Sequence, residues 1–161
     1  MKNIRLLLKI FLILTIWICF VSVQGQTNSQ EIYNATIEQY VKQIIANTER
    51  EINIEVYYFL NIDNLIHTID NKRINYIKNQ DDLRKLLSAK NESHPISTLS
   101  CISIDNGGLL SVSILHYNVT RVSNKKNYKY NYSRYGTTTI FFRFDCIGNK
   151  YYYFEIKHEE I

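Results

Sequence analysis

The sequence predicts an α+β domain, in which a long N-terminal amphipathic helix packs on a curved antiparallel sheet and a second short helix lies between the two in the chain. Two observations carry this. Tyr33, Ile37, Tyr40, Val41, Ile44, Ile45 and Thr48 recur at steps of three and four residues, the period of one buried helix face. From Ile96 onward the pattern changes to alternation, cut by turn signals at Asn106-Gly107-Gly108, Ser123 to Asn127 and Gly148-Asn149. The 161 residues suffice for one core. A hydrophobic share of 45% with 21% charged residues excludes collagen, wholesale disorder and a multi-span membrane protein.

Taken in order, the chain opens with Lys2, Arg5 and Lys9, followed by an uncharged apolar run from Ile10 to Val23. A membrane-spanning helix needs about 20 apolar residues, whereas a secretory h-region takes about 7 to 15, so residues 1–25 read as a signal peptide. Val23-Gln24-Gly25 offers the small residue at which cleavage leaves Gln26 as the mature start. The rival is an uncleaved anchor from Leu6 to Val23, interrupted by Lys9. Cys19 follows the bulky Ile18, which argues against a lipid anchor. Residues 26–161 are then a single α+β domain without a stable membrane span, secreted or periplasmic. Export also changes the charge: the formal +4 falls to 16 basic against 15 acidic residues, net +1, so nucleic acid is not an expected partner.

The helix is expected from Gln30 to Thr48, with Asn28 and Glu31 forming a capping box and Glu38, Lys42 and Asn47 on its wet side. Ile54 to Leu60 alternates as a strand, Asp63 caps a short helical turn, and Arg73 to Lys78 reads as an edge strand. Asp81 or Asp82 opens a second helix ending near Asn91, and His94-Pro95 interrupts any continuation. Ile96 to Ile104 and Leu109 to Val122 then form a hairpin. Gly136 marks a bulge or bend before Thr137 to Cys146, and Lys150 to Lys157 closes the meander. The rows Leu110, Val112, Ile114; Ile140, Phe142, Phe144; and Tyr152, Phe154, Ile156 are expected to face the helix. A helix lying in such a sheet resembles a cystatin-like or nuclear-transport-factor-like cone.

The Val23 to Gln26 junction, the strand Ser111 to Tyr117 and the closing hairpin Gly148 to Tyr151 leading into Glu155-Ile156-Lys157 resemble small exported proteins of Bacteroidetes. Tyr151 to Tyr153 stand where that group often carries a Trp. The resemblance implies export and this architecture, and it carries no activity and no functional residue to this chain.

With Cys19 removed, Cys101 and Cys146 remain, either as one disulfide in an oxidising compartment or as two buried free thiols. Neither the cysteines nor His67, His94, His116 and His158 show metal-ligand spacing, and no HExxH, GxSxG or phosphate-cradling loop occurs, so no metal and no cofactor is expected. His116 follows Leu110, Val112 and Ile114 on the inward parity, which makes it the one catalytic candidate, at a cavity rim where burial perturbs its proton affinity. The rival reading is a hydrogen-bonded structural histidine at a strand end. Lys125 to Tyr135 interleaves cations with tyrosines, and Tyr128, Lys129, Tyr130, Tyr132 and Arg134 form a candidate binding surface for a protein or glycan; its bland counterpart is a solvated hairpin whose tyrosines cover the sheet. The chain holds 24 Ile, 17 Asn, 13 Tyr and 12 Lys, all with A/T-rich codons, so abundance of Asn and Tyr carries little functional weight. The sequons at Asn34, Asn91, Asn118 and Asn131 match what chance gives in so Asn-rich a chain.

Three functions remain open on these grounds. The first is an exported, non-catalytic binding or interaction module for a protein or glycan. The second is a small secreted hydrolase using His116 in a cone-shaped pocket with a nearby carboxylate. The third is a secreted inhibitor or immunity-type protein, which needs a flat charged interface.

Overall fold

The computed structural model describes residues 29–45, 51–56, 60–88, 92–104, 109–122 and 129–161. The expected signal peptide, the capping residue Asn28, the helix end at Thr48, the Asn106-Gly107-Gly108 turn and Tyr128 lie outside the described residues.

Helix α1 spans residues 29–43 and turns Ile32, Tyr33, Thr36, Ile37, Tyr40 and Val41 into the core. On its outer side Lys42 bonds Glu38 one turn back at 2.6 Å. Among the described residues eight strands follow in one sheet: β1 (Glu51–Glu55), β2 (Thr68–Ile69), β3 (Lys72–Ile77), β4 (Ser93–Leu99), β5 (Ser103–Ile104), β6 (Leu110–Arg121), β7 (Tyr130–Asp145) and β8 (Lys150–Glu160). Their spatial order is β2-β3-β1-β4-β6-β7-β8, with β5 paired to β6 beside that path. Helix α2 (Gln80–Leu86) connects β3 to β4. The architecture is mixed α+β with a curled sheet.

The sheet is not wholly antiparallel, which corrects the expectation. β1 runs parallel to both β3 and β4: the segment holding a 3-10 turn (Ile62–Asn64) and β2 returns the chain before β3 begins, and α2 returns it before β4 begins. Only β4, β6, β7 and β8 form the expected antiparallel run. β3 is not an edge either, since β2 pairs outside it. Pro95 does not end β4 but sits within it. Among the described residues β1 pairs with β4 at Ser97 and Thr98, past Pro95, so the missing Pro95 amide costs no ladder bond there. Asn79, not Asp81 or Asp82, caps α2 by accepting from both of their amides at 2.9 and 3.0 Å.

Strand alternation divides the core between two faces. On one, Ile52, Ile54, Leu99, Val112, Ile114, Ile140 and Phe142 pack under α1. On the other, Ile77, Ile96 and Val119 pack under Leu83 and Leu87 from α2 and its end. Two bulges set which residues reach which face. Between His116 and Tyr117 the β6–β7 register slips, so Tyr135 is an extra residue on β7. Between Phe141 and Phe142 the β7–β8 register slips, with Phe154 the extra residue on β8. The second slip changes the expected inward row of β8: Tyr151, Tyr153 and Ile156 pack against the core, while Tyr152 and Phe154 are exposed; Phe144 on β7 keeps its expected side beside Tyr151 but is 40% exposed.

Candidate functional site

Six neighbouring pieces of chain build a pocket of about 340 Å³ at one end of the α1 face. Tyr40, Ile44 and Ile45 come from α1 and its end, Ile52 and Asn53 from β1, and Pro95 and Ser97 from β4. His116 comes from β6, Tyr135 from β7, and His158 and Glu160 from β8. The aliphatic residues form one wall, and Tyr40, Ser97 and His116 present polar atoms within it.

Each polar group is placed by the sheet. His116 lies opposite Ser97 on β4 and opposite Gly136 on β7, which seats its ring between two strands. Gly136 is required there, because a Cβ would stand 2.9 Å from the Glu159 carbonyl oxygen and 3.5 Å from the His116 ring. The bulge just before it lets Tyr135 swing beside His116, with ring centroids 5.8 Å apart. Tyr40 stacks on the imidazole with ring centroids 5.3 Å apart.

His116 is 2% exposed, and both ring nitrogens have protein partners. Nδ1 lies 3.2 Å from the Tyr40 hydroxyl and 3.3 Å from Ser97 Oγ, which are themselves 2.8 Å apart. Nε2 lies 2.8 Å from Thr138 Oγ1, and Thr138 Oγ1 lies 2.8 Å from His158 Nδ1. His158 Nε2 faces a Glu160 carboxylate oxygen at 3.8 Å. A chain of polar groups thus runs from the pocket floor to a surface carboxylate. Burial, then the neighbouring His158 and Arg134, pull the His116 pKa down to about 4, so the imidazole is neutral at physiological pH.

Thr138 has one hydroxyl proton, so it donates to one of the two imidazoles and accepts from the other.

Glu160 reaches His116 only through His158 and Thr138. Sequence reasoning singled out His116 but missed Tyr40, Ser97, Thr138, His158 and Glu160. Tyr40 was legible as a core residue. The others are hydroxyls and charges whose meeting depends on cross-strand register.

The Tyr-rich segment is on the other face. Arg121 and Val119, the partners of Tyr130 and Tyr132, lie on the α2 side of the sheet. Tyr130 packs against that cluster and its hydroxyl is buried. Tyr132 is 40% exposed and sits edge-on to Tyr117; burial, then Glu55, raise its pKa to about 12. Arg134 donates to Thr137 Oγ1, and Lys129 is exposed. His116 and the tyrosine surface therefore do not combine into one site.

Cys101 and Cys146 are free and both exposed, neither bridged nor buried. Cys101 lies two residues beyond Leu99, which faces Ile114, and Cys146 lies four beyond Phe142, which faces Leu110. Continued two residues past the end of β4 and one past the end of β7, that register sets them roughly 20 Å apart along β6, against a bridging limit of about 7 Å between Cα atoms. Among the described residues no three His, Cys, Asp or Glu side chains gather to hold a metal, and no helix is long and apolar enough to cross a membrane. The chain matches no family model, no curated protein and no solved structure.

Proposed function

We propose that this protein is an exported, non-catalytic binding module whose ligand is a glycan held in the His116 pocket. One observation carries the reading: both nitrogens of His116 are bonded to protein hydroxyls, so the residue fixes the shape and polarity of the floor instead of offering a base to a substrate. A concave site of about 340 Å³ suits one or two sugar rings better than a flat protein interface. Its make-up fits too, with an aromatic rim residue, an aliphatic wall, and hydroxyl, amide and carboxylate groups converging on one space. The location between α1 and the curled sheet is where a helix-in-sheet cone holds its ligand, so the cone-like reading of the fold belongs to this proposal.

The test is a glycan array probed with the purified chain and with Ser97→Ala. Retention of a defined glycan set by the parent chain, weakened by the variant, supports the reading. Equal binding by both, or none, overturns it.

The hydrolase reading draws on one distance, Ser97 Oγ to His116 Nδ1 at 3.3 Å. Against it, a histidine whose pKa is lowered to about 4 is a feeble base at neutral pH. Turnover of p-nitrophenyl acetate that Ser97→Ala abolishes would reverse this preference.

A further inference from the structure

Strand β8 ends the sheet: among the described residues β7 pairs one of its edges and no strand pairs the other. The sheet's opposite end is β2, only two residues long, whereas β8 has 11. An open edge of that length carries a row of amide and carbonyl groups that another strand can pair.

Contacts with β7 show which backbone groups of β8 face outward. Ile161 donates its amide to the Tyr135 carbonyl oxygen, and the Glu159 carbonyl oxygen turns toward Gly136. Backbone groups alternate sides along a strand, so beyond the bulge at Phe154 the odd-numbered residues of β8 point theirs at β7. Ile156, His158 and Glu160 point theirs away from it.

A second copy laid antiparallel on this edge must set even-numbered positions opposite even-numbered ones, and the side chains select among the symmetric registers that remain. A two-fold axis at Glu155 opposes two glutamates, and one at Lys157 opposes two lysines, both unfavourable. An axis at His158 faces Ile156 with the Glu160 carboxylate. An axis at Ile156 sets isoleucine against isoleucine and, on the other face of the sheet, each Glu155 against Lys157 of the second copy. Glu155 and Lys157 already lie 3.6 Å apart with side chains 45% and 56% exposed, so the same pair of a second copy can interleave with them.

We propose that β8 pairs antiparallel with β8 of a second copy about a two-fold axis at Ile156, extending the curled sheet across a dimer. Main-chain hydrogen bonds join the strands, and the paired charges fix the register. The dimer does not depend on what the His116 pocket holds.

Sedimentation velocity of the purified chain over a range of concentrations tests it, and a reversible dimer is expected. Lys157→Glu opposes like charges in both cross-strand pairs and should raise the dimer dissociation constant about tenfold. Combining it with Glu155→Lys restores opposite charges in this register alone and should return the constant to near the parent value. A monomer at every concentration, a dimer unmoved by Lys157→Glu, or a double variant no tighter than Lys157→Glu overturns the proposal and leaves the glycan reading intact.

Discussion

Thr138 Oγ1 stands 2.8 Å from His116 Nε2 and the same distance from His158 Nδ1, so one threonine hydroxyl joins a buried histidine to one at the surface. The link has a direction, because Thr138 donates to one ring and accepts from the other. Replacing it with valine keeps the shape and leaves His116 Nε2 buried without its partner. Thr138→Val is expected to lower stability by about 1–3 kcal/mol in urea unfolding, whereas Thr138→Ser retains most of it.

His116 should carry no charge in the folded chain at neutral pH. Its folded pKa, about 4, lies below the ordinary 6.5, so between those values the unfolded chain binds the extra proton. This contribution to stability is fully present above about 6.5 and is lost as pH falls toward 4. A histidine-edited NMR titration should show the His116 ring signals static from pH 8 to about 5.5. Movement centred near 6.5 would contradict the burial argument.

Gly136→Ala should destabilise by about 1–3 kcal/mol, since its Cβ would meet the Glu159 backbone oxygen at 2.9 Å and force β8 away from β7. The same shift would draw His158 from Thr138, so melting temperature and ligand affinity should fall together. A variant with an unchanged melting temperature would show that β8 yields freely at this point.

Asn79→Ala removes the acceptor for the Asp81 and Asp82 amides at the start of α2. The expected loss is about 1 kcal/mol, measured by thermal unfolding. Because α2 covers the face opposite the pocket, sugar affinity should stay unchanged.

Cys101 and Cys146 should each label with iodoacetamide in the folded chain, as peptide mapping reads it. A Cys101–Cys146 cross-linked peptide in freshly purified protein would contradict the register that separates them.

Much of this fold was legible where periodicity speaks alone. Ile37, Tyr40 and Val41 declared a helix face, and Leu110, Val112 and Ile114 a buried strand row, because burial on one side writes a period into the chain. The parallel placement of β1 was not legible, since strand direction depends on where the chain returns and leaves no mark in Ile52 or Ile54. Nor was the exposure of Tyr152 and Phe154, because a single bulge on β8 exchanges the faces of every residue beyond it. The site shows the same division. His116 was marked by its parity, but Ser97, Thr138 and His158 become partners only through the pairing of β4, β6, β7 and β8.

The central claim is that the His116 pocket recognises a ligand, and mapping ligand-induced amide shifts on the labelled chain during titration with an array-selected glycan tests it most directly. The account predicts saturable shifts at Asn53, Ser97, His116 and His158, with Tyr130 and Tyr132 on the opposite face unmoved. Shifts confined to the Tyr132 face, with the pocket residues silent, would contradict it.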